Sequence, residues 1–97
     1  MTYQTALPEL LTPFARFWNP KTCVVKCKSV GFEQWEVDAH FFAEDGTPVE
    51  IPESKEIQKI VDLWGEPCFF DLIHNVFVNH IFQNMVAAGV SEVIARI

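Results

Sequence analysis

The stretch CVVKCKSVGFEQWEVDAHFF, residues 23–42, decides what kind of fold this chain can adopt. From Cys23 to Ser29 the side chains are small, β-branched or alternating. Gly31 supplies a turn, and Trp35, Val37, Ala39 and Phe41 then alternate with Glu36, Asp38, His40 and Phe42. A period of two marks a strand with one face buried and one face wet. Glu44-Asp45-Gly46 reads as a hairpin turn, and Val49–Ile51 as a third, short strand. Residues 22–51 are therefore expected to form a three-stranded antiparallel meander.

Helical signals flank it. Pro8 and Glu9 suit the first turn of a helix, with Leu7 just ahead of them. Leu10, Leu11, Phe14, Phe17 and Trp18 then recur at helical spacing, Pro13 kinks or restarts the run, and Asn19-Pro20 ends it. After the meander, Ser54 can cap a helix whose Ile57, Ile60, Val61 and Trp64 share one face. Gly65 fits the left-handed residue that closes this helix, and Pro67 the first position of the next. Helix 67–88 is the longest element, with Phe69, Phe70, Ile73, Val76, Phe77 and Ile81 on one arc. In this placement His80 and Asn84 fall inside the arc as core polar residues. Ala88-Gly89 ends the helix, and Ser91 caps a last helical turn, Glu92–Ile97. The expected architecture is a single α+β domain, 1–97: the meander packed on a long central helix, with shorter N-terminal, middle and C-terminal helices.

Composition narrows the function classes. A chain of 97 residues with nine Phe and three Trp can bury one core without staples. The opening MTYQTALPEL shows neither a basic nor an apolar signal region, and three Cys are an odd count. A reduced, cytoplasmic protein is the expectation. The apolar run 68–90 is broken by Asp71, His74, Asn75, Asn79 and His80, which argues against a membrane span. Charge is segregated. Residues 1–30 set Glu9 against Arg16, Lys21, Lys26 and Lys28, whereas 31–66 hold ten carboxylates against Lys55 and Lys59. So acidic a middle repels a phosphate backbone, which disfavours direct nucleic-acid binding and favours either a basic protein partner or a plain solvated face.

No catalytic constellation emerges. Cys68, in the first turn of a helix, could be acidified by the dipole, yet His74 lies on another side of the helix and no oxyanion loop accompanies them. Cys23 and Cys27 point to one face of a strand but sit roughly 13 Å apart, too far to share a zinc ion. His40, His74 and His80 lack ligand spacing. The carboxylates show no cleft that would desolvate one of them. The expectation is a protein without cofactor or metal that is not an enzyme.

Two stretches remain as candidate protein-binding surfaces. One is the corner Trp64, Gly65, Glu66, Pro67 and Cys68, where the chain stops one helix and starts another. Packing of Trp64 beside Phe69 or Phe70 would draw that corner inward; without such packing it faces solvent. The other is the second half of helix 67–88, which is apolar nearly all round. Val78, Phe82 and Met85 either lie between the N-terminal helix and the sheet or form an exposed docking patch.

In length, acid balance and the Gly65-Glu66-Pro67-Cys68 corner, the chain resembles the Abc anti-RecBCD proteins of lambdoid bacteriophages. The resemblance implies a phage-encoded module in the host cytoplasm that binds the RecC side of the exonuclease–helicase and alters its nuclease activity and Chi response. It also implies recruitment of a host peptidyl-prolyl isomerase, with Pro67 as the handle. The alternative from charge alone is a DNA-mimic inhibitor of another host DNA-targeting enzyme, its carboxylates over 33–66 imitating phosphates.

Overall fold

The computed structural model describes residues 2–4 and 8–97, with side chains described from Glu9 onward. Leu7, expected at the first helix, lies outside the described residues. Among the described residues five strands form one mixed sheet in the order β1-β5-β2-β3-β4. They are β1 (Thr2–Gln4), β2 (Thr22–Gly31), β3 (Gln34–Phe42), β4 (Pro48–Val49) and β5 (Glu92–Arg96). The meander expected from residues 22–51 is its β2-β3-β4 part, with Cys27 opposite Val37 and Cys23 opposite Phe41. Its turn falls at Phe32-Glu33, where Glu33 rather than Gly31 takes the positive φ of 55°. The third strand is shorter than expected and starts one residue earlier: it opens on Pro48, and Pro52 just beyond it has no N–H to extend a ladder.

The C-terminal segment is a correction. Glu92–Arg96 is a strand, not a helical turn. It pairs antiparallel with β2, Val93 opposite Val25 and Ala95 opposite Cys23, and parallel with β1. Five residues cannot repay helix nucleation, whereas the free edge of β2 offers ready backbone partners to a β-branched run. Val93 and Ala95 are buried, while Ile94 faces outward.

One face of the sheet carries the helices, and among the described residues no helix covers the other, bare face. Cys23, Val25, Phe41, Val93 and Ala95 bury against α1 (Pro8–Leu11), a 3-10 turn (Thr12–Phe14), α2 (Lys55–Asp62) and the long C-terminal helix. Aromatic rings fill the middle. Phe14 lies 4.5 Å from Phe69 between ring centroids, and Trp18 meets Phe41 at 4.7 Å and Phe69 at 5.3 Å, both edge-on. Each such ring contributes about 1.5–3 kcal/mol on burial. The Trp18 indole N–H is buried without a hydrogen-bond partner among the described residues.

The long helix runs from Phe69 to Ala88, but not as one regular α-helix. It comprises α3 (Phe69–Leu72), a π segment (Ile73–Val78) and α4 (Asn79–Ala88). In a π turn the N–H reaches back five residues, so residues i and i+5 share a face. Ile73 and Val78 are both buried for this reason. The extra residue rotates everything downstream. Phe77, Val78, Ile81 and Met85 face the core, Val76 and Val86 are exposed, and His80 and Asn84 turn to the surface rather than into the core as the uninterrupted helix predicts. Phe70 is also exposed rather than part of the buried arc.

Candidate functional site

The corner between α2 and α3 is built from backbone hydrogen bonds that run out of helix. Ser54 caps α2 through its Oγ, which accepts from the Ile57 N–H at 3.2 Å. After Asp62 the chain tightens, the Trp64 N–H donating to the Val61 carbonyl at 2.8 Å and the Gly65 N–H to that of Asp62 at 3.2 Å. Gly65 then reverses the chain at φ 73°, a conformation that a Cβ would strain. With the helix ended at Asp62, Trp64 leaves the buried face that Ile57 and Val61 occupy, and Leu63 stands outside that face. Leu63 is 86% exposed and Trp64 47%.

Polar contacts from both flanking helices brace the corner. Gln58 Nε2 donates to the Pro67 carbonyl at 3.2 Å and to Asp62 Oδ1 at 2.8 Å. Asn75 Nδ2 donates to Glu66 Oε2 at 3.2 Å. Glu66 is half-buried, whereas Gly65 and Pro67 are exposed, and the Glu66–Pro67 bond is trans. Pro67 stands just ahead of the helix rather than inside its first turn. Cys68 is the cap residue: its Sγ accepts from the Asp71 N–H at 3.5 Å, and its S–H donates to Asp71 Oδ2 at 3.3 Å.

The inward packing of Trp64 does not occur. Phe69 is committed to Phe14 and Trp18, and Phe70 stacks on His74 at 4.2 Å with the planes 26° apart. That stacked pair forms one wall of a groove of about 460 Å³, whose other walls are Ala39–Phe42 and Pro48–Ile51. Burial lowers the proton affinity of His74, and the negative charge of Asp71 partly opposes the shift.

The second candidate surface is corrected in most of its members. Val78 and Met85 are buried in the core, at 2% and 1% exposure, and are not docking residues. Phe82 is half-buried and meets Trp35 edge-on. Sequence reasoning placed these residues with a uniform helical rotation, which the π turn breaks.

Reactive side chains lie apart. Cys23 and Cys27 are buried free thiols, and burial pushes the Cys23 thiol up to about 12. The side chain that meets the Cys68 sulfur is the Asp71 carboxylate, while His74 is held against Phe70. Among the described residues no three of His, Cys, Asp or Glu converge as metal ligands. The acids of the middle segment are partly occupied. Glu36 lies 3.7 Å from Lys28, and the Thr47 side chain, followed by the Thr47 N–H that Asp45 accepts at 3.0 Å, holds the Asp45 carboxyl below the usual range. Among the described residues no helix is long and apolar enough to cross a membrane.

Two features were missed from sequence: the apolar tip of the β2–β3 hairpin, with Phe32 at 91% exposure, and the open edge of β3 beyond the two residues that β4 covers. The prolines around β4 were the available signal for the second. Comparison with protein families, with characterised proteins and with solved structures finds no match to this chain.

Proposed function

We propose that the protein is an interaction module that works by docking on a larger macromolecule through the Leu63–Pro67 corner. One observation carries this reading: Leu63 and Trp64 stand exposed on a turn that Gln58 and Asn75 hold from both sides. A Trp on a pre-ordered support is well suited to anchor an interface, because little conformational freedom is lost on binding. The phage Abc-type resemblance names the partner to test, the RecC side of RecBCD, with modified nuclease and Chi response as the consequence. Exposure of Pro67 supports its role as the handle for a prolyl isomerase. The DNA-mimic reading draws less support, since Lys28 and Lys26 sit beside Glu36 and Glu92 and interrupt the acidic face.

The test is co-elution of the purified protein with RecBCD, followed by a Chi-dependent nuclease assay, for wild type and Trp64→Ala. A complex that Trp64→Ala weakens by about tenfold or more supports both surface and partner. A complex indifferent to Leu63→Ser and Trp64→Ala refutes the corner, and no complex at all refutes the named partner. Steep loss of binding with salt and with Glu36→Gln and Asp38→Asn favours DNA mimicry instead.

A further inference from the structure

The hydrogen-bond parity of the sheet shows which backbone groups remain free. The Cys27 N–H donates to the Ser91 carbonyl at 2.9 Å and the Ile97 N–H to that of Lys21 at 3.0 Å. Odd-numbered residues of β2 as far as Cys27 therefore bond to β5, and the even-numbered residues from Thr22 to Lys28, ahead of the register shift between Ser29 and Gly31, bond to β3. Through the register Lys26↔Asp38 and Val24↔His40, the even-numbered residues of β3 are satisfied by β2. The odd-numbered ones point the other way. Phe41 is covered by Val49 of β4, and the Ala43 N–H donates to the Thr47 carbonyl at 2.8 Å. Trp35, Val37 and Ala39 lie beyond the reach of β4, and among the described residues no hydrogen bond engages their outward N–H and C=O groups.

The two sides of this edge differ chemically. On the helix side, Trp35 and Phe82 make an apolar wall at one end, and Phe70 with His74 line the groove at the other. On the bare side the edge-strand residues are Glu36 and Asp38. Lys28 attends Glu36, but Lys26, opposite Asp38 in register, reaches Glu92 at 4.0 Å, and among the described residues Asp38 has no ion partner. From these observations we infer that the β3 edge at Trp35–Ala39 is a strand-addition site for an extended peptide segment of another protein, alternating apolar residues with Lys or Arg. Apolar side chains pair with Trp35, Val37 and Ala39 and lie on the helix side; the basic ones fall beside Glu36 and Asp38. Acids on the edge also deter self-association, because two β3 edges pairing antiparallel would set carboxylate against carboxylate. Edge protection accounts for the acids but leaves the half-exposed Trp35 and the groove unexplained. The site is separate from the Leu63–Pro67 corner and needs nothing from it.

The test uses the full chain and two synthetic peptides, one alternating lysine with valine and one alternating glutamate with valine. The expected result is binding of the lysine peptide alone, with slowed amide exchange confined to Trp35, Val37, Ala39 and their neighbours. Glu36→Lys with Asp38→Lys should weaken that binding by about tenfold or more and reverse the charge preference. Val37→Pro should abolish it, and because the Val37 N–H points outward this variant keeps the β2–β3 ladder. Leu63→Ser should leave it unchanged. Binding of neither peptide, binding without protection of those three amides, or sedimentation of the chain as a β3-paired dimer would each overturn the assignment.

Discussion

Trp35 of β3 and Phe82 of α4 meet edge to face, ring centroids 5.6 Å apart and planes at 69°. This contact ties the outer end of the hairpin to the far half of the long helix. It also explains why Phe82 is half-buried although the helix turns it away from the core centre.

A double-mutant cycle on Trp35→Ala and Phe82→Ala should return a favourable coupling of about 0.5–1.5 kcal/mol. With Trp35 45% exposed, the lower end of that range is expected. Urea unfolding of the four proteins measures it, and strictly additive effects would remove the contact from the account of this end of the fold.

Core and corner should separate cleanly in stability. Met85 is 1% exposed, so Met85→Ala should cost about 2–5 kcal/mol. Leu63 is 86% exposed, so Leu63→Ser should change stability by no more than about 0.5 kcal/mol. Denaturation midpoints compared side by side decide this. A Leu63→Ser protein that unfolds as readily as Met85→Ala would place Leu63 in the structural core.

His74 gives the fold a pH dependence of known sign. Burial holds its proton affinity below the ordinary value of 6.5, so the unfolded chain takes up this proton first as pH falls. Its contribution is complete above 6.5, declines as pH falls from there toward the lower folded value, and levels off below it. Chemical denaturation across this window should show less loss on acidification in His74→Gln than in wild type. An equal loss in both would assign the acid sensitivity elsewhere.

Thiol reactivity should be selective. Cys23 is buried with its thiol pushed up to about 12, and Cys27 is buried with its S–H donating to the Val90 carbonyl at 3.8 Å. Cys68 alone is half-buried. Iodoacetamide under native, mildly alkaline conditions should label Cys68 first, and all three thiols only in denaturant. Peptide mapping of the adducts reads this out, and early labelling of Cys23 in folded protein would contradict its placement.

Much of the framework was legible because its signals are local. Ser54 as a cap, Gly65 as a left-handed stop and the alternation from Trp35 to Phe41 each act through neighbouring residues. The corner Trp64–Cys68 was singled out correctly as a stop and a start, though its exposure depended on where Phe69 and Phe70 went. Phe69 chose Phe14 and Trp18, which no spacing rule could specify. For Val78 and Met85 the choice between core and docking patch stays open in the sequence for a different reason, and burial settles it as core. A single π turn adds about one residue of rotation, and nothing local in Ile73–Val78 announces it.

By itself the amino-acid sequence determined the α+β character, the β2–β3–β4 meander, the breaks at Gly65 and Gly89, and the separation of an acidic middle from a basic start. Only the tertiary structure decided that Glu92–Arg96 is a strand, that the long helix shifts its buried face midway, and that Trp35, Val37 and Ala39 of β3 have no strand on their outward edge among the described residues. Caps, turns and alternation depend on residues a few positions apart, so they can be read along the chain. Strand partners and buried faces depend on surfaces brought together from distant positions, where the energy of pairing and packing outweighs local preference.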